Sequence, residues 1–214
     1  MSDAPQEPGR DCALCPRLKA FRERQRAEHA DWHNAPVPSF GPIEARLLIV
    51  GLAPGLKGAN RTGRPFTGDF AGDLLYATLG KFGHARGRYE ARASDGLALE
   101  GCRITNAVRC VPPENKPETA EIAACRPFLA AEIAAMKSLK AVLALGAIAH
   151  GSVLAALGER RAAHPFAHGA LHRLKGGLVL ADSYHCSRYN TNTGKLTAKM
   201  FENVFAALEG VLGA

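Results

Sequence analysis

Along most of the chain, short strand-length runs alternate with longer stretches in which apolar residues recur every three or four positions. The short runs are Leu47 to Val50, Arg103 to Val108, Ala141 to Leu145 and Leu178 to Ala181. Runs that are apolar at consecutive positions bury both faces of a strand, which is the habit of parallel sheets. The periodic stretches, Phe70 to Phe82, Glu118 to Met136, Ala147 to Leu157 and Leu196 to Leu212, have the length of crossover helices. The pattern predicts an α/β fold: a three-layer α/β/α sandwich around a central four-stranded, mainly parallel sheet with right-handed crossovers.

Local signals refine the elements. Pro117 suits the first position of its helix, with Glu118 and Glu121 in the first turn, where carboxylates match the partial positive charge. Pro127 predicts an interruption, so residues 118 to 136 are expected as two helices. Gly83 to Gly101 has no clean period and carries Arg86, Arg88 and Arg92, the pattern of a surface excursion. His164, His168 and His172 stand four apart, the spacing of a metal-binding helix face. Pro165 and the nearby glycines oppose a long helix there, so exposed or locally hydrogen-bonded histidines are expected.

Ahead of the first strand, residues 1 to 10 are polar, with two prolines and a glycine, and are expected to be disordered. Residues 11 to 214 read as a single domain whose N-terminal arm bears a CxxC at Cys12 and Cys15, a basic helical pattern from Arg17 to His33, and a proline-rich connector from Asn34 to Pro42.

Composition narrows the setting. No apolar run approaches the length of a membrane span, and the N-terminus lacks an apolar leader, so a cytoplasmic, monomeric protein is expected, nucleoid-associated in a prokaryote. In that reducing compartment the six cysteines are poor candidates for disulfides. Lys and Arg number 27 against 20 Asp and Glu, a net charge of +7 that favours a polyanionic partner such as DNA.

The candidate chemistry gathers where the strands end. In a parallel sheet the loops leaving the carboxyl ends face one crevice. Leu47 to Asp69 is a strand followed by a glycine-rich loop that admits close approach of a ligand to the main chain. The second strand ends in Thr105 to Cys110, and the fourth leads into Ser183 to Asn192. Asp69, Asn106, His185 and Phe66 would thus line one pocket, suited to a flat polar ligand stacked on an aromatic ring and read along its edge. Asp69 also suits the N-cap of the following helix. A nucleophilic pairing of Cys186 with adjacent His185 is disfavoured, because neighbours at a strand end point apart. Cys12, Cys15, Cys110 and Cys125 form a second constellation, four thiolates able to hold zinc or an iron–sulfur cluster and to staple the arm to the core.

These motifs resemble a known family. Gly51-Leu52-Ala53-Pro54-Gly55, then Asn60 to Asp69, Thr105 to Cys110, and His185-Cys186-Ser187 followed by Asn190 closely resemble the type 5, or B-type, uracil-DNA glycosylases, in order and spacing from Cys12 onward. The resemblance implies a [4Fe–4S] cluster on Cys12, Cys15, Cys110 and Cys125. It also implies catalytic roles for Asp69, Asn106 and His185. The base would be held by Gly51, Ala53, Gly55, Phe66, Asn106 and His185, and DNA by Asn60, Arg61, Ser187, Arg188, Tyr189 and Asn190. Leu52 stands where sister type 4 enzymes usually carry a glutamate, so the first motif lacks a polar side chain and Asp69 inherits the water. With no lysine placed for a Schiff base, a monofunctional enzyme acting on uracil or other deaminated bases flipped from DNA is expected. The competing expectations are a non-enzymatic Fe–S nucleic-acid-binding protein and a nucleotide hydrolase. The second is weakened because Lys57 is not followed by Ser or Thr.

Overall fold

In the computed structural model, which describes residues 5–213, the elements are, in chain order, α1 (Pro16–Glu28), β1 (Leu47–Gly51), α2 (Ala59–Thr62), α3 (Phe70–Lys81), β2 (Ala85–Arg86), β3 (Ala98–Leu99), β4 (Cys102–Asn106), α4 (Thr119–Ala135), β5 (Ala141–Leu145), α5 (Ala147–Ala156), β6 (Leu171–Arg173), β7 (Val179–Ser183), α6 (Arg188–Asn192) and α7 (Ala198–Leu212). The main sheet has the order β4-β1-β5-β7-β6. β1 pairs in parallel with β4 and β5, and β5 pairs in parallel with β7.

Alternation along β1 builds both outer layers. Leu47 and Ile49 join Leu75, Leu79, Phe201 and Phe205 on the face covered by α3 and α7. Leu48 and Val50 point the other way, to Leu129, Ile133, Val153 and Leu154 on α4 and α5. A third, smaller cluster joins Leu18 of α1 to Val108, Cys110 and Cys125. The three-layer α/β/α architecture is thus as the pattern predicts.

The sheet has five strands rather than four. The fifth, β6, is a three-residue antiparallel edge on β7, and it is too short and too exposed to carry an apolar run. Pro127 does not divide its helix: α4 runs unbroken from Thr119 to Ala135. One proline deletes one N–H donor, whereas Leu129, Glu132 and Ile133 on the same helix are buried and hold it in place. Glu118 and Glu121 form a capping box at its start. α1 stops at Glu28, short of His33, because buried Asn34 turns back and donates to the carbonyls of Gln25 and His29.

The stretch from Gly83 to Gly101 contains the β2–β3 pair and sends Tyr89 and Asp95 inward. Of the N-terminal ten residues, 1–4 lie outside the described residues. The others form no helix or strand, but Glu7 accepts from the Ser39 amide (3.1 Å) and lies 3.8 Å from Arg103 and 3.7 Å from Arg109. No helix among the described residues is long and apolar enough to cross a membrane.

Candidate active site

The carboxyl ends of β1, β4 and β7 open into a cleft of about 850 Å³ lined by Leu52, Ala53, Gly55, Phe66, Asp69, Asn106, His185, Ser187 and Arg188, among others. Asn106, the last residue of β4, is paired with Gly51 in the sheet register and is buried. Its Oδ1 has no hydrogen-bond partner among the described residues. A buried amide oxygen left unpaired carries a desolvation cost unless a ligand supplies the donor. Gly51 lies directly beneath: a Cβ there would stand 2.4 Å from Asn106 Oδ1 and 2.6 Å from Phe66 Cζ. Only glycine lets the amide and the ring close over this point.

Asp69 N-caps α3, with Oδ1 accepting from the Ala71 amide at 3.2 Å. Its other oxygen faces the glycine loop, where a Cβ on Gly58 would lie 2.3 Å from Oδ2. Burial raises its pKa above the usual Asp value, against the lowering effect of the Gly72 and Ala71 amides. Burial acts on His185 in the opposite sense and lowers its pKa, which keeps the imidazole neutral at pH 7. The rings of His185 and Phe66 stand 5.9 Å apart at 31°.

Phe66 adopts φ 52°, a left-handed conformation that costs free energy for a bulky residue. Its neighbours hold it there. Tyr76 donates to the Pro65 carbonyl (2.6 Å) and Tyr89 to the Phe66 carbonyl (3.3 Å). Arg64 donates to Thr67 Oγ1 (2.8 Å) and bidentately to Asp95 (2.7 Å each), and lies over the rings of Phe40, Tyr76 and Tyr89. The pattern of apolar positions gave no sign of Asp95 or Tyr89, because both reach the loop from a distant, aperiodic segment.

Cys12, Cys15, Cys110 and Cys125 share one pocket with Leu18, Arg22, Val108 and Phe128. None is in a disulfide. Burial pushes the Cys110 thiol up to about 11 and also raises Cys15 and Cys125. Donors nevertheless aim at the sulfurs: Arg22 Nη1 lies 3.2 Å from Cys110 Sγ, and the Arg109 amide 3.4 Å from Cys125 Sγ. Arg22 is itself buried, with Nε unpartnered among the described residues. A buried guanidinium against thiols fits a site whose sulfurs are held as anions by a metal or cluster.

The family model of the uracil DNA glycosylase superfamily matches residues 38–209. A type-5 uracil-DNA glycosylase of Thermus thermophilus is 47% identical over 207 residues, covering 94% of each chain. One of Mycobacterium leprae is 42% identical over 210 residues, covering 94% of this chain and 92% of its own. The chain belongs to the type-5 uracil-DNA glycosylases. A type-4 enzyme of Pyrobaculum aerophilum is more distant, at 35% identity over 152 residues covering 71% of this chain and 63% of its own.

Within this family fold the remaining residues of interest divide. Asn60 is not at the nucleic-acid surface: it is fully buried and donates to Asn34 Oδ1 at 2.9 Å, locking α2 to the connector. Asn190 also faces inward, its amide donating to the His185 carbonyl at 2.8 Å, which fixes the backbone that presents the imidazole. Ser187 N-caps α6. Arg61, Arg188 and Tyr189 are exposed; Arg188 lies over the Phe70 ring, and Tyr189 stands beside the cleft with 74% exposure. Lys57 of the glycine-rich loop also lines the cleft, as does Asn115, a placement that no motif marked. Cys186 is fully buried and pushed up to about 12 by that burial, so its thiol is no nucleophile beside His185.

Proposed function

We propose that this chain is a monofunctional DNA glycosylase that hydrolyses the N-glycosidic bond of uracil in DNA and opens base excision repair, and that it also accepts other deaminated bases such as hypoxanthine and xanthine. The observation that carries this reading is the unpaired, buried Oδ1 of Asn106 facing the Phe66 ring across Gly51. An acceptor fixed at the edge of a stacking platform suits the N3–H of uracil, and the amide's NH2 group suits O4.

Departure of the base leaves an oxocarbenium-like sugar and an anionic pyrimidine. As a carboxylate, Asp69 stabilises the cationic sugar and orients the attacking water with Oδ2 while Oδ1 stays engaged with Ala71. His185, neutral, donates to O2 as charge accumulates there. Phe66 holds the flipped ring, and Arg61, Arg188 and Tyr189 approach the backbone and the gap left by the base.

Cys12, Cys15, Cys110 and Cys125 would hold a [4Fe–4S] cluster, which would fasten the arm bearing α1 to the core. Incubation with an oligonucleotide bearing one uracil, followed by alkali, tests the activity: strand cleavage at that position is expected. Intact strands alongside tight binding would instead support a non-enzymatic nucleic-acid binder. Iron and acid-labile sulfide measured in anaerobically purified protein test the cluster.

A further inference from the structure

The histidines spaced through residues 164 to 172 take no part in the cleft, yet one of them belongs to a buried constellation with a lone carboxylate. Asp182, on β7, is fully buried. Its Oδ1 lies 2.7 Å from Nδ1 of His150, a fully buried residue of α5. Its Oδ2 lies 3.0 Å from Nε2 of His172, on the edge strand β6, and 3.3 Å from the Ala167 amide. One ligand atom from each of the three side chains falls within 4.8 Å of the others.

The decisive detail is the far side of the His150 ring. Its Nε2 stands 2.8 Å from the His164 carbonyl, which can only accept, so Nε2 carries its proton. A neutral ring so protonated presents a lone pair at Nδ1, directly opposite a carboxylate lone pair. The 2.7 Å contact between Nδ1 and the carboxylate therefore holds either the second proton of an imidazolium or a metal ion. A backbone carbonyl on the outer nitrogen is also the arrangement that orients imidazoles toward metal ions.

We propose that His150, His172 and Asp182 bind a divalent transition-metal ion of the zinc class. Two imidazoles and one carboxylate form a common zinc donor set, with a fourth position left for water or a further side chain. The His164 ring, 5.6 Å from that of His172, lies at hand. His172, at 12% exposure, marks the route of entry. The ion would tie α5 and the short edge strand β6 to β7, three residues before His185. It would thereby stiffen the root of the loop that presents that imidazole.

The test uses the holo-protein, treated with a mild chelator that leaves its iron in place and then titrated with zinc chloride alone. Wild type is expected to retain one zinc per chain and to gain roughly 5–10 °C in Tm at zinc about 100-fold above Kd. His172→Ala and Asp182→Asn should each weaken binding by at least about 100-fold and lose the thermal shift. His172→Gln should repeat the loss, which separates ligation from misfolding at this edge position. Cobalt(II) in place of zinc should give ligand-field bands without thiolate-to-cobalt charge transfer, because no cysteine takes part. The proposal is overturned if wild type binds no more zinc than His172→Ala, or if the cobalt spectrum shows thiolate ligation only; the cation on His150 is then a proton.

Discussion

Asp69 divides its oxygens between two tasks, one capping α3 and the other facing the cleft, and burial raises its pKa. A carboxylate raised in this way destabilises the fold when ionised. The penalty is absent while the group is protonated and grows as pH rises through the folded-state value. Asp69→Asn keeps a good N-cap and removes the charge. At pH 7 it is expected to raise Tm in thermal melts while slowing single-turnover uracil excision by about 10² to 10⁴-fold. In wild type, the acid limb of kcat/KM should fall above the ordinary Asp value of 3.8, and it should vanish in this variant.

Asn106 offers a second test at the same scale. Asn106→Ala removes the unpaired oxygen, and should cost about 10-fold or more in kcat/KM on uracil without loss of thermal stability. The sequence placed both residues in one pocket from their positions after strands. It gave no sign that Asn60 and Asn190 face inward, because a motif residue that braces the loop and one that touches the ligand look alike until packing is known.

Among the elements, α4 and the segment from Gly83 to Gly101 act at a distance. Glu132 of α4 is buried between Arg103 of β4 (2.6 Å) and Arg109, which continues to Ser39. Burial works to raise its pKa, yet the two guanidiniums outweigh that and hold it below the usual Glu value. A depressed carboxylate contributes stability above its unfolded pKa, which is lost as pH falls through the folded value. Glu132→Gln should cost about 3–5 kcal/mol in urea unfolding at pH 7, a difference that shrinks in acid.

Asp95 makes the corresponding contribution to the loop. Its pair with Arg64 supports the strained Phe66, and Arg64 holds its carboxyl far below the usual range. Asp95→Ala is expected to cost about 3–5 kcal/mol and to lower excision as well. In a Phe66→Ala background the excision defect should largely disappear, while the stability defect persists. No local period marks Asp95, since its role exists only through a contact with a residue 31 positions away.

For the molecule as a whole, the net charge of +7 predicts that affinity for duplex DNA falls by at least about 10-fold between 50 and 200 mM salt, read by fluorescence anisotropy. A flat salt profile would contradict a basic binding surface. The sequence alone determined the class of fold, the strand ends that converge and the gathering of four cysteines. The first two follow from consecutive apolar runs alternating with stretches of 3.6-residue period and from the rule that parallel strands end together, the third from the cysteine motifs. The tertiary structure decided what long-range packing controls: an antiparallel edge strand too short to show a pattern, a helix that runs unbroken through Pro127, and the clamp on Phe66. It also decided the carboxylate shared by His150 and His172, because three residues on three elements become neighbours only when the sheet and its helices close around them.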